Sequence, residues 1–304
     1  MTYQDAHTHL FSRTFFDTLA GLSPLPGEPE ELIGQLAART GMEIPPDDTE
    51  ALVRRWLEQM DRADVSRMVT FASLPPEAKV VSEAARLSGG RLLPYTLVDP
   101  SSEQALAFAS TAFSELGMRG LLLFPAMHHV EACDPRCDPL YELAAAHDAP
   151  VIVHCGILKV NLRDLLGLPR PYDLRCANPL AVVPAANRHP DVTFVLPHFG
   201  GGFFREALMA GVQCENITLD TSSSNDWIRT NPSPLRLSEV FRRSLDAVGS
   251  ERILFGTDSC TFPRGYRVDV RDNQLAAARA AGATDDQIKA MFGGNLARML
   301  PASD

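Results

Sequence analysis

Short apolar runs without clean alternation recur along the chain, and longer stretches between them return an apolar residue every three or four positions. The short runs are TYQDAH (2–7), VSRMVTF (65–71), LLPYTLV (92–98), GLLLF (120–124), PVIVHC (150–155), VTFVLPH (192–198), NITLDT (216–221) and RILFGTD (252–258). Runs of this kind read as strands buried on both faces. The intervening segments, such as PPEAKVVSEAARLSGG, SEQALAFASTAFSELG and DPLYELAAAHDA, read as amphipathic helices, and the first two end in glycine, a usual helix stop. Eight strands alternating with helices predict an α/β chain whose parallel sheet closes as a (β/α)8 TIM barrel. The alternative is an open doubly wound sheet, but no GxGxxG follows the first strand, so the usual cofactor signature of that fold is missing.

Three connections are longer than a barrel needs. They contain LSPLPGEPEE after strand 1, GILKVNLRDLLGLPRPYDLRCAN after strand 5 and SSSNDWIRTNPSPLR after strand 7. All three leave the C-terminal ends of strands, the face on which barrel enzymes build their sites. No internal repeat, low-complexity tract or linker interrupts the pattern, so residues 1–304 are expected to form a single domain.

Composition narrows the function classes. The chain has 28 Lys+Arg against 38 Asp+Glu, a formal charge of −10, which argues against a nucleic-acid partner. No apolar run approaches the ~20 residues that span a bilayer, so no membrane partner is expected. The first residues show no basic region followed by an apolar core, and no signal peptide is expected. Six cysteines scattered through the chain fit reduced thiols and a cytoplasmic location better than a disulfide framework.

The stretch QDAHTHLF (4–11) puts His7 and His9 two positions apart, where side chains of a strand share a face ~6.5–7 Å apart. His154 ends strand 5, His198 ends strand 6 and Asp258 ends strand 8. In a barrel these five metal-capable side chains face one axis, which points to a metal site. The other histidines read differently. His147 and His189 sit at helix C-termini, where a partly cationic imidazole is favoured, and His128 and His129 read as a solvated loop pair. Cys155 and Cys260 adjoin metal-capable residues but are expected to point away and pack. Gly200, Gly201 and Gly202 read as a tight strand-to-helix turn.

The motifs DAHTH, VIVHCG, LPHFGG, RILFGTDS and GGNLARML, taken in order, resemble the amidohydrolase-related group of the amidohydrolase superfamily, which includes aminocarboxymuconate-semialdehyde decarboxylase and many metal-dependent hydrolases. The resemblance covers nearly the whole chain. It implies that His7, His9, His154 and Asp258 hold one divalent ion, most commonly Zn²⁺, with Mn²⁺, Fe²⁺ and Co²⁺ compatible with the same ligands. It also implies that His198 contacts water or substrate and not the ion. The strand 4 segment GLLLFPAM offers neither the lysine nor the glutamate that bridges two metals in binuclear relatives, so a mononuclear centre is expected. Many barrels of this family are dimers, and a homodimer is expected on that ground alone.

A cation in such a cradle activates water toward a pKa of ~7 on zinc. Asp258 and His198 are the candidate catalytic residues: Asp258 as a ligand that also accepts a proton, His198 to orient water, stabilise an oxyanion or protonate a leaving group. Arg264 is the candidate for a substrate carboxylate, because guanidinium pairs with it bidentately. Trp227 and Tyr172, in the long loops, are candidates to line a pocket for a planar or cyclic substrate. The leading expectation is a metal-dependent hydrolase of a small lactone, amide or cyclic acid. A non-oxidative, metal-dependent decarboxylase is the alternative, and a catalytically idle metabolite-binding barrel is the second.

Overall fold

The computed structural model describes residues 2–301. Eight parallel strands form one sheet in the order β1 to β8: Tyr3–His9, Val65–Ala72, Leu92–Leu97, Leu121–Leu123, Val151–Val153, Phe194–Leu196, Ile217–Asp220 and Ile253–Leu254. The ends of the sheet meet. Ala6 donates its N–H to Phe255 O at 2.8 Å, Asp258 to His7 O at 2.9 Å, and His9 to Ser259 O at 2.8 Å. The barrel expected from the alternating pattern is therefore the observed architecture.

Alternation along each strand divides the core into two layers. Leu122, Ile152 and Val195 point into the barrel with Phe71 and Tyr95. Their neighbours Leu121, Leu123, Val151, Val153, Phe194 and Leu196 point outward into the layer of helices. This two-sided burial is why the strand sequences read as continuous apolar runs. Leu296 and Leu300, from the C-terminal helical segment, complete the inner layer.

Several strands are shorter than their apolar runs. The run at 192–198 forms regular strand only over Phe194–Leu196, because His198 and Phe199 take left-handed backbone at φ 57° and 51°. The run at 252–258 is regular only over Ile253–Leu254, and Asp258 stands at φ 60°. In both cases the departure falls on a residue that the sequence marks as a candidate for metal binding or catalysis, where strained backbone is commonly found.

The long connection after β1 folds into two extra helices, Arg13–Gly21 and Pro29–Thr40, before the barrel helix Thr49–Arg62. Pro29 opens the second of these, and Glu28 and Glu31 form a reciprocal capping box around it. Phe15, Phe16 and Leu19 of the first helix pack with Leu32 and Leu36 of the second, and Leu162, Leu166 and Leu168 of the loop after β5 join them. This separate apolar cluster is a cap over the barrel mouth, made from two of the three long connections.

All six cysteines are free thiols. Among the described residues no helix is long and apolar enough to cross a membrane.

Candidate metal centre

The pairing of β1 with β2 slips between Asp5 and Thr8. A slip of this kind re-aims neighbouring side chains. Ala6 accordingly lies in the inner core, while His7 and His9 line the cavity at the barrel mouth. Asp5 holds the slip in place: it accepts from His7 N at 2.9 Å and from the Thr257 hydroxyl at 2.7 Å, so β1 is tied to the segment that carries Asp258.

Three of the expected ligands converge. One ligand atom each from His7, His9 and Asp258 lies within 4.8 Å of the others. Asp258 Oδ1 is 3.4 Å from His9 Nε2 and 3.8 Å from His7 Nε2. The other nitrogen of each imidazole is engaged. His7 Nδ1 is 2.6 Å from Asp220 Oδ2, and His9 Nδ1 is 2.7 Å from Ser73 Oγ. Ionised Asp220 can only accept, so Nδ1 of His7 carries the proton and its Nε2 keeps a lone pair directed at Asp258.

His154 and His198 line the same cavity. The His198 ring centre is 4.9 Å from that of His7 and 5.2 Å from that of His154. His154 stands outside the tight group of three, stacked on Phe124 at 4.8 Å, and its buried Nδ1 has no hydrogen-bond partner among the described residues. Buried polar atoms are rarely left so without a function. His198 Nδ1 lies 2.8 Å from Ser222 Oγ and 3.3 Å from Ser222 O. Both contacts fall on Nδ1, so Ser222 engages that nitrogen and Nε2 is the one turned away from it.

The exits of β5 and β6 are held against each other by a backbone contact. At Gly156, φ 76°, an added Cβ would stand 2.1 Å from the carbonyl oxygen of Gly201. No side chain fits there, and the two glycines keep the segments bearing His154 and His198 side by side. The sequence suggested a glycine turn after β6; its partner across the mouth is the part that sequence does not display.

Electrostatics favour cation binding. Burial pushes the His9, His154 and His198 imidazoles toward the neutral form, His154 most strongly, with repulsion from neighbouring imidazoles adding to it there. For His7 burial acts the same way, but the Asp220 carboxylate outweighs it and raises the imidazole above its ordinary value. Burial alone would raise Asp258, yet the hydrogen bond from His9 and the charge of His7 hold it well below the usual carboxylate range. Neutral His9, His154 and His198 beside an ionised Asp258 are the protonation states a metal requires, whereas His7 alone is biased toward its charged form. The donor set therefore fits a divalent ion with nitrogen and oxygen preference.

The cavity has a volume of about 670 Å³ and reaches from these residues up to the cap. Phe11 and Phe15 form part of its wall, their rings stacked at 4.1 Å, and Phe11 takes φ 40°. Arg264 and Trp227 line it as expected, and the Trp227 indole donates to Asn225 Oδ1 at 2.9 Å. Tyr172 does not line it; it stands beside Arg163, which does. Among the described residues no carboxylate pairs with Arg163: the adjacent Asp164 pairs with Arg170 at 2.7 Å, and the buried Arg163 Nε has no hydrogen-bond partner. Cys260, expected to pack away, lines the cavity, being two residues beyond Asp258 and thus on its side of the chain. Cys155 is buried, as expected. His147 and His189 cap helix C-termini, and His189 Nε2 lies 2.9 Å from Asp138.

Asp220, Ser73 and Ser222 are the residues that sequence reasoning missed. Asp220 had a visible signal, a carboxylate ending the apolar strand NITLD just as Asp258 ends RILFGTD. The serines had none.

The family model described as amidohydrolase matches residues 4–302. No curated protein matches the chain. Among solved structures, a TIM-barrel protein from Bordetella bronchiseptica is 19% identical with a TM-score of 0.68, covering 98% of each chain. The 5-carboxyvanillate decarboxylase of Sphingomonas paucimobilis is 14% identical with a TM-score of 0.65, covering 99% of each chain. An amidohydrolase from Burkholderia multivorans, solved with bound zinc, is 17% identical with a TM-score of 0.61, covering 98% of this chain and 99% of its own.

Proposed function

The chain belongs to the amidohydrolase family, and from that premise we propose that it is a metal-dependent hydrolase of a small molecule. We infer that the whole chain works as one catalytic unit, with His7, His9, His154 and Asp258 holding one divalent ion, most commonly zinc in such a donor set. The observation that carries this reading is the convergence of His7, His9 and Asp258 within 4.8 Å beside a histidine, His198, whose Nδ1 is engaged by Ser222. The unpartnered His154 Nδ1 supports it as the mark of an imidazole kept for a partner other than protein. An ion held there supplies Lewis acidity and lowers the pKa of water into the neutral range.

The protein's own groups divide the remaining work. His198 Nε2 takes the proton that attacking water loses and returns it to the leaving oxygen or nitrogen. Asp258, kept ionised by its imidazole neighbours, is the second proton acceptor at the mouth. Arg264 and the unpaired Arg163 suit a substrate carboxylate. Trp227 and the stacked Phe11–Phe15 pair offer flat apolar faces for the body of the substrate. Lactones, amides and cyclic acids with a free carboxylate fit that description. The free thiols fit the reducing compartment of a cytoplasm, and association as a homodimer rests on the family alone.

Decarboxylation is the second reading, favoured specifically by the cavity cations, since a departing carboxylate also needs a place to bind. Water separates the two. The metal-loaded protein is offered lactones, amides and carboxylated aromatic acids in H₂¹⁸O while CO₂ release is followed. Incorporation of solvent oxygen into the organic product without CO₂ is the expected result. Metal-dependent CO₂ release with no solvent oxygen in the product overturns hydrolysis.

A further inference from the structure

Glu77 lies at the end of a short turn, Pro75–Glu77, that follows β2, and its side chain is fully buried. Among the described residues no basic side chain pairs with it. Its carboxylate instead accepts three hydrogen bonds from the ends of two different strands. Oε1 accepts from Ser12 N at 2.7 Å and from Ser12 Oγ at 2.9 Å; Oε2 accepts from Ser73 N at 2.8 Å. A carboxyl buried without a counter-charge is costly to ionise, so the arrangement asks for a use.

Its two partners supply one. Ser73 is the residue whose hydroxyl meets His9 Nδ1 at 2.7 Å. Ser12 is the N-cap position of the cap helix Arg13–Gly21, and its hydroxyl makes no bond to that helix because Glu77 takes it. That helix carries Phe15 and Leu19, which form the cavity wall above the metal cluster. One carboxylate thus grips both the serine that orients a metal-facing imidazole and the root of the cap.

We propose that Glu77 is a positioning residue that sets His9 for metal through Ser73 and anchors the cap helix through Ser12. Fixing the Ser73 backbone fixes where its hydroxyl stands. The hydroxyl then selects the His9 ring orientation that turns Nε2 toward Asp258, 3.4 Å away. Outer-shell partners of metal ligands act in this way, and their loss commonly costs ~10–100-fold in metal affinity. The Ser12 bonds act on a separate property, the docking of the cap. The proposal rests on the metal reading of the site given above.

The two arms can be cut independently. Dissociation constants for Zn²⁺ and Co²⁺ are measured on the full chain at pH 8 by competition with a chromophoric chelator, together with the visible spectrum of the Co²⁺ form. Cap docking is read by limited proteolysis within residues 13–40. Ser73→Ala is expected to weaken metal binding ~10-fold or more and to alter the Co²⁺ spectrum while leaving the cap protected. Ser73→Thr, which keeps the hydroxyl, is expected to restore binding. Ser12→Ala is expected to expose the cap with metal affinity unchanged. Glu77→Gln, which replaces one acceptor oxygen by an amide donor, is expected to do both, and the serine variants carry the test if it does not fold. Wild-type metal affinity in Glu77→Gln removes Glu77 from the setting of His9, and wild-type affinity in Ser73→Ala removes the route through Ser73; with the parent chain binding one equivalent, either overturns the proposal while the metal reading stands. A parent chain that takes up no metal overturns the metal reading itself.

Discussion

Asp220 Oδ2 stands 2.6 Å from His7 Nδ1, with both side chains buried. The carboxylate comes from β7 and the imidazole from β1, so the contact crosses the inside of the barrel. It fixes the tautomer of His7 and makes its Nε2 a stronger donor. Asp220→Asn keeps the shape but offers an amide that need not accept from Nδ1. Metal affinity is expected to fall ~10–100-fold, read by chelator competition. Unchanged affinity would show that the His7 tautomer is set elsewhere.

The pair His7 and His9 provides two of the three ligand atoms in the tight cluster. A His7→Ala, His9→Ala double variant is expected to retain less than a tenth of the metal bound by the parent when both are purified without chelator. Elemental analysis measures this directly. Parent-like occupancy would place the ion on other residues.

The eight strands were legible because each is buried on both sides and so spells an apolar run, and the candidate ligands stood out because they end those runs. Strand length was not legible where backbone turns left-handed, as at His198 and Asp258, since a φ of 57° or 60° leaves no mark on hydrophobic pattern. The cap hid for a different reason. LSPLPGEPEE reads as a proline-rich loop, yet Pro29 and the Glu28–Glu31 pair are helix-start signals that gain meaning only with the apolar residues after them. The serines beside His9 and His198 are invisible to local reading, because each lies at least 24 residues from its histidine and only the barrel brings them together.

His198 has its Nδ1 on Ser222 and its ring 4.9 Å from that of His7. It does not belong to the cluster of His7, His9 and Asp258. His198→Ala is therefore expected to keep most of its metal while kcat drops ~10²–10⁴-fold, the range for an acid–base group. Metal content and steady-state rates on the same preparation test it. Loss of the ion would make His198 a ligand.

Glu77 also predicts a pH dependence of stability. Burial raises its carboxyl from 4.5 to about 7, against the hydrogen bonds from Ser12 and Ser73 that lower it. Between those two values the folded chain holds a proton that the unfolded chain has released. Stability from this group is thus full below pH 4.5 and falls as pH rises toward 7, by at most ~3 kcal/mol through linkage. Glu77→Gln cannot titrate and lacks the slope. Between pH 5 and pH 8 the stability gap between variant and parent should shift by ~2–3 kcal/mol in the variant's favour. Asp5, raised by burial from 3.8 to about 7, slopes the same way in both proteins and cancels in the difference. Urea unfolding of both chains across this pH range, with chelator present to remove metal linkage, measures the gap. Parallel stability curves would mean that Glu77 is ionised in the folded protein throughout, with its three donors outweighing burial.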